Sequence, residues 1–197
     1  MAERIGIYAG SFDPVHAGHM AFALQAMAAA GLDRLYFLPE RRPRHKHGVE
    51  HFGHRVAMLK RAIKPYKQFD ILELPDIEFS VQRTLPRIYK QLGQQQLVFL
   101  AGSDVTEHIT NWPHFEQLFA SCELVIGIRA GQAIEAVKKQ VEDWPVLPQA
   151  VTIFESFAAD VSSKGVREGL RSRQATKGTL SSVQKYSNQH WLYVSVA

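Results

Sequence analysis

The segment Gly10-Ser11-Phe12-Asp13-Pro14-Val15-His16-Ala17-Gly18-His19 constrains this chain more than any other. It follows Ile5-Gly6-Ile7-Tyr8-Ala9, a short apolar run that ends at a glycine and has the pattern of a buried strand. After it, Gly18 to Ala30 is rich in Ala, Met, Leu and Gln, with Gly31 as a stop signal, and this predicts a helix. A tight turn between a buried strand and a helix lets the backbone approach a ligand closely at Gly10. The helix start offers unpaired N–H groups and the positive end of a dipole, a natural seat for phosphate. His16 and His19, three residues apart, can place both imidazoles on one side of that seat and donate hydrogen bonds to phosphate oxygens.

The same alternation continues along the chain. Leu35–Leu38, Phe69–Leu72, Leu97–Ala101, Leu124–Ile128 and Val151–Phe154 are further strand candidates. Helices are expected over Phe52–Ile63, Ser80–Leu92, Asp104–Phe119, Ser162–Leu170 and Ser181–Gln189. Pro86 should kink or shorten the third of these six helices, and Trp112-Pro113 should break the fourth. Such alternation argues for an α/β fold with a mostly parallel sheet, in a single domain over residues 1–197. Ligands of such sheets bind beyond the carboxyl ends of the strands, so the loops after Ala9, Leu38 and Ala101 should carry the chemistry.

Composition narrows the class. Apolar residues make up 46% and charged residues 21%, enough for a packed core and too apolar for a disordered chain. Cys122 is the only cysteine, so no internal disulfide exists. No signal-peptide pattern precedes the first strand, and no apolar run approaches the roughly 20 residues that span a bilayer. The expected location is the cytoplasm. The net charge is +4, concentrated in Arg41, Arg42, Arg44, His45, Lys46 and His47. By itself that loop could be a nucleic-acid patch, a solvated loop or a clamp for phosphorylated small molecules. The histidines show no spacing of a closed zinc site, and no protein-held metal is expected.

The Gly-Ser-Phe-Asp-Pro-x-His-x-Gly-His string resembles the signature of the nucleotidyltransferases that share their fold with class I aminoacyl-tRNA synthetases. Within that branch the chain resembles the nicotinate mononucleotide adenylyltransferases over nearly its whole length. The resemblance implies a Rossmann-like, doubly wound sheet with a small C-terminal helical part. It also implies transfer of AMP from ATP to nicotinate mononucleotide, giving deamido-NAD and pyrophosphate.

In that light His16, His19 and Arg167 are the expected catalytic residues. Gly10, Ser11, Phe12, Gly18, Gly102, Asp104, Ser162 and Ser163 are expected to bind ATP. His45 and Lys46 of Pro39-Glu40-Arg41-Arg42-Pro43-Arg44-His45-Lys46 would face phosphates. Gly102-Ser103-Asp104 matches the family Gly-x-Asp, whose carboxylate can accept ribose hydroxyls; Asp104 could equally cap a helix. Trp112 matches a tryptophan that packs on the pyridine ring, and could equally be core.

Val161-Ser162-Ser163-Lys164-Gly165-Val166-Arg167 matches Ile-Ser-Ser-Thr-x-Ile-Arg, with Lys164 in place of the threonine. In Ser80-Val81-Gln82-Arg83-Thr84-Leu85 the family Tyr and Thr are replaced by Val81 and Gln82, leaving Thr84 as the expected substrate contact. Mg²⁺ is expected to ride on ATP, and the partners are ATP and a mononucleotide, with neither nucleic acid nor membrane. Association with further copies of the chain stays open. The alternatives are a nicotinamide mononucleotide or phosphopantetheine acceptor, a CTP-using relative, or a non-catalytic module that binds nucleotide or nucleic acid.

Overall fold

The structure is a computed structural model that describes residues 3–43, 46–93, 95–129, 131–157 and 160–194. Six strands, β1 (Arg4–Gly10), β2 (Arg34–Pro39), β3 (Phe69–Ile71), β4 (Gln96–Gly102), β5 (Cys122–Arg129) and β6 (Val151–Ser156), form one sheet in the order β3-β2-β1-β4-β5-β6. Every pairing is parallel, so the expected mostly parallel sheet is wholly parallel. The order reverses between β1 and β4, whose carboxyl ends diverge there into a crevice.

Eight α-helices connect or flank the strands among the described residues. They are α1 (Ala17–Ala30), α2 (Phe52–Ile63), α3 (Val81–Leu92), α4 (Ser103–Thr106), α5 (Phe115–Ser121), α6 (Ile134–Glu142), α7 (Ser163–Arg171) and α8 (Ser181–Gln189). Strand residues alternate between two apolar layers, as the two-residue period requires. Ile5, Ile7, Leu97, Phe99, Leu124 and Ile126 face one layer with α3, α5 and α6. Leu35, Phe37, Val98, Leu100 and Val125 face the other with α1, α2 and α8. A sheet buried on both faces explains why its strands are nearly continuous apolar runs.

Three expectations change. The helix expected over Asp104–Phe119 breaks at Trp112-Pro113 as expected, but its first part divides again, into α4 and a 3-10 turn at Ile109–Asn111, before α5. Pro86 does not shorten α3, which runs through it to Leu92 and is capped by Gly93 at a positive φ of 78. Helix α6 has no counterpart among the expected elements; it buries Val137 and Val141. No helix of the described residues is long and apolar enough to cross a membrane.

Candidate active site

The turn after β1 is built around a buried phenyl ring. Phe12 takes a positive φ of 47, uncommon for a residue with a side chain, and its ring is 1% exposed. The ring meets Tyr8 at 5.4 Å, Phe37 at 5.4 Å and His19 at 5.1 Å, all edge-on. A Cβ at Gly10 would lie 3.0 Å from that ring, so the residue that lets the strand turn must be nearly bare. Burial of Phe12 thus holds an uncommon backbone conformation in place, and that backbone presents Ser11 and His16 to the crevice.

Helix α1 begins on His16 as its N-cap. The His16 backbone N–H donates to His19 Nδ1 at 3.2 Å, and the two rings lie 3.8 Å apart. With Nδ1 accepting, the neutral His19 ring carries its hydrogen on Nε2. Burial lowers the pKa of His16 to about 4. His19 is held well below the usual histidine value by burial, with His16 and Lys46 adding to it. Both rings are therefore neutral near pH 7, so each can offer an N–H donor but carries no positive charge.

The crevice is a cavity of about 480 Å³ running from Gly10, Ser11 and His19 to Gly102, Asp104 and Ser162. Phe12, His16 and Gly18 also line it. At its β4 end a Cβ on Gly102 would lie 2.6 Å from Asp104 Oδ1, so the carboxylate folds back over the glycine. Asp104 is not the cap of α4; Gly102 is, and Asp104 sits in the first turn. Among the described residues no three His, Cys, Asp or Glu side chains gather where they could hold a metal ion.

The cations stand on one side. Lys46 Nζ donates to Ser11 Oγ at 2.8 Å, and Lys46 borders the main cavity and two neighbours. One neighbour, about 310 Å³, contains His47, Ser163, Lys164 and Arg167. Arg167 lines this side cavity and not the main one; its Nη1 donates to the Asp13 carbonyl at 2.6 Å and lies 3.8 Å from Asp13 Oδ2. Ser162 caps α7 by accepting the Gly165 N–H at 3.2 Å, and Ser163 Oγ donates to the Pro14 carbonyl at 3.1 Å. The two family segments, far apart in sequence, are thereby stapled together. His45, expected to face phosphate, lies outside the described residues.

The other neighbour, about 540 Å³, opens past Lys46 and is walled by Phe79, Val81 and Trp112. The Trp112 ring meets Phe79 at 5.9 Å and Phe99 at 6.2 Å, so it is both half-buried core and cavity wall. Thr84 is not brought to any of these three cavities. It is 1% exposed, and its Oγ1 accepts the Ser80 N–H at 3.0 Å, closing the first turn of α3. In this arrangement its hydroxyl is engaged by the helix rather than turned to a cavity.

Residues 7–169 match the cytidylyltransferase-like family. The nicotinate-nucleotide adenylyltransferase of Bacillus subtilis (strain 168) is 32% identical, over 98% of this chain and 100% of its own length. The chain belongs to the nicotinate-nucleotide adenylyltransferase family. As a member it is an ATP-dependent nucleotidyltransferase, as the signature segment implied. The probable nicotinate-nucleotide adenylyltransferase of Carboxydothermus hydrogenoformans is 31% identical over 86% of this chain and 87% of the relative. The solved Plasmodium falciparum nicotinic acid mononucleotide adenylyltransferase complexed with NaAD superimposes with a TM-score of 0.77, over 97% of each chain. At 19% identity that likeness speaks for the fold.

Two residues that carry no motif also build this adenylyltransferase's site. Arg55, on α2, is 1% exposed and donates to the carbonyls of Ser11, Glu40, Arg41 and Glu50. It ties the signature turn to the loop after β2 and the start of α2. Burial pulls its pKa down, while Asp13, Tyr193, Glu40 and Glu50 hold it up. The available signal was an arginine inside the apolar stripe Arg55-Leu59-Ala62 of an amphipathic helix. Tyr193 donates its hydroxyl to Asp13 Oδ1 at 2.8 Å, and burial raises its pKa. No local pattern marks it.

Proposed function

We propose that this chain transfers the adenylyl group of ATP to nicotinate mononucleotide, releasing deamido-NAD and pyrophosphate. The observation that carries the reading is the pair of neutral imidazoles, 3.8 Å apart, at the start of α1, lining a cavity on the switch point of the sheet. ATP takes the main cavity, with its ribose at Asp104 and its base beyond Gly102. The acceptor takes the apolar cavity past Lys46, its pyridine ring on Trp112. The main and acceptor cavities meet at Lys46, where the acceptor phosphate and the α-phosphate must meet.

In the reaction an acceptor phosphate oxygen attacks the α-phosphorus in line. The bond to the β-phosphate breaks, and its electron pair leaves with pyrophosphate. No protein nucleophile is needed; positioning and charge stabilisation do the work. His16 and His19 donate N–H bonds to oxygens that gain charge at the transition state. Because both start neutral, the positive charge comes from Lys46 and, toward the side cavity, Lys164 and Arg167. Pyrophosphate departs toward that side cavity. Mg²⁺ arrives on the triphosphate as part of the substrate and shields its charge.

Pyrophosphate release from ATP is to be measured with nicotinate mononucleotide, nicotinamide mononucleotide and phosphopantetheine in turn. Turnover is expected with the first. His19→Ala should lose about 10²–10³-fold in kcat with little change in melting temperature. Near-normal turnover in that variant defeats the reading.

A further inference from the structure

Arg167 is placed to meet the leaving pyrophosphate, yet it stands beside a buried carboxylate that would ordinarily capture it. Asp13 is 4% exposed, and among the described residues Arg167 is the one cation within 4.0 Å of its side chain. An arginine next to a carboxylate commonly closes into a forked pair, with bonds of about 2.7–2.9 Å. Here the pair is open. Arg167 Nη1 lies 3.8 Å from Asp13 Oδ2, too far for a hydrogen bond, and donates to the Asp13 carbonyl at 2.6 Å. Among the described residues that is the only hydrogen bond of the guanidinium, which borders the side cavity with Lys46, Ser163 and Lys164.

What holds the carboxylate back is on its other side. Asp13 Oδ1 accepts the Tyr193 hydroxyl at 2.8 Å and the Glu50 N–H at 3.3 Å, and the hydroxyl makes the shorter and stronger bond. Arg55 also faces Asp13, but its fork is engaged by four carbonyls, and Lys46 is engaged by Ser11. The turn after α8 is shaped to deliver the tyrosine. Trp191 and Tyr193 both take positive φ, 54 and 63, which residues with bulky side chains seldom adopt. Between them Leu192 is 6% exposed, and its N–H donates to the Ser187 carbonyl at 3.0 Å. Such a backbone persists only where its surroundings hold it, here through a buried leucine and the bond to Asp13.

Resting on the proposed adenylyl transfer, we propose that Tyr193 is a positioning residue: its hydroxyl holds the Asp13 carboxylate off Arg167 and keeps that guanidinium open to pyrophosphate. Tyr193 lines none of the three cavities and acts on Arg167 through Asp13. Without the hydroxyl, a shift of about 1 Å closes the Asp13–Arg167 fork. The guanidinium then spends its donors and its charge on the protein.

The test runs the transfer backwards, so that pyrophosphate is a substrate. One of its oxygens attacks the adenylyl phosphorus of deamido-NAD, the bond to the nicotinate mononucleotide phosphate breaks, and ATP forms. KM values for pyrophosphate and for deamido-NAD are measured in wild type, Tyr193→Phe, and Tyr193→Phe with Asp13→Asn. Tyr193→Phe should raise the pyrophosphate KM about 5- to 20-fold, as loss of one charge-assisted contact requires, and move the deamido-NAD KM less than about twofold. Adding Asp13→Asn removes the charge that captures Arg167 and should bring the pyrophosphate KM back to within about threefold of wild type. A purely structural role for Tyr193 gives no such rescue, since a second substitution in a damaged network adds damage. An unchanged pyrophosphate KM in Tyr193→Phe, an equal rise in both constants, or no recovery in the double variant overturns the role of Tyr193. A wild type that makes no ATP from deamido-NAD and pyrophosphate overturns the adenylyl transfer itself, which is a separate result.

Discussion

Replacing Arg55 by lysine keeps the charge and length of the side chain and removes its fork. The guanidinium donates to four buried-side carbonyls, those of Ser11, Glu40, Arg41 and Glu50, at 2.5–2.9 Å. A single ammonium can reach one or two of them. Two or three carbonyls are then left without a donor, and each bond to a charged group is worth about 1.5–3 kcal/mol. Partial relaxation keeps the total near the lower end, about 3–5 kcal/mol, against a total stability of roughly 5–15 kcal/mol. Urea unfolding followed by tryptophan fluorescence should show a lower midpoint with an unchanged slope. The melting temperature should fall by about 6–20 °C. Because the same carbonyls belong to the signature turn and the loop after β2, ATP affinity measured by calorimetry should fall as well. A loss under about 1 kcal/mol, with normal ATP binding, refutes the account of Arg55 as the tie between these loops.

The buried histidines make stability depend on pH. Between the ordinary histidine value of 6.5 and about 4, the unfolded chain takes up a proton that folded His16 refuses. Stability therefore rises with pH across that window and falls on acidification, by about 3 kcal/mol from His16 alone at pH 4. Urea unfolding of His16→Gln across the window should show a shallower slope than wild type; an identical slope contradicts the assignment. At Gly127 a Cβ would lie 2.3 Å from Phe22 and 2.9 Å from Phe154, so Gly127→Ala should destabilise by about 1–3 kcal/mol in the same assay. Asp104→Ala should raise the KM for ATP about 10- to 100-fold and leave the acceptor KM within a few-fold, as loss of a carboxylate bond to ribose requires. Equal changes in both constants would remove Asp104 from the ribose.

The strands and the signature turn are legible in the sequence because their determinants are local. Apolar runs ended by glycine or proline mark β1 and β2, and Gly10, His16 and His19 follow β1 directly. Helix α6 leaves only a weak trace in the sequence, although Ile134, Val137 and Val141 follow helical spacing. Only two of its residues are well buried, and its β-branched positions weaken the helical signal. The failures at the site are of another kind. Thr84 fits the family spacing, but the turn of α3 directs its hydroxyl to Ser80 N–H instead of the cavity. Arg55 and Tyr193 act on backbone and carboxylate groups brought near only once the sheet has formed and α8 packs on α2. Such long-range partners leave no periodic trace in a single sequence. Arg167, expected at the triphosphate, bonds to Asp13 of the signature segment and lines the side cavity rather than the main one.

The bond from Tyr193 to Asp13 joins residues 180 positions apart. On the ribosome the signature turn emerges early, while the residue that completes its hydrogen bonding is added last among those that touch it. At about 5–20 residues per second, roughly 10–40 seconds separate the two. Through that interval Asp13 is a carboxylate whose tyrosine partner has yet to be synthesised. The catalytic turn of a nascent chain is thus finished from the far end, and a ribosome-stalled chain lacking Tyr193 should hold nucleotide less firmly than the released protein.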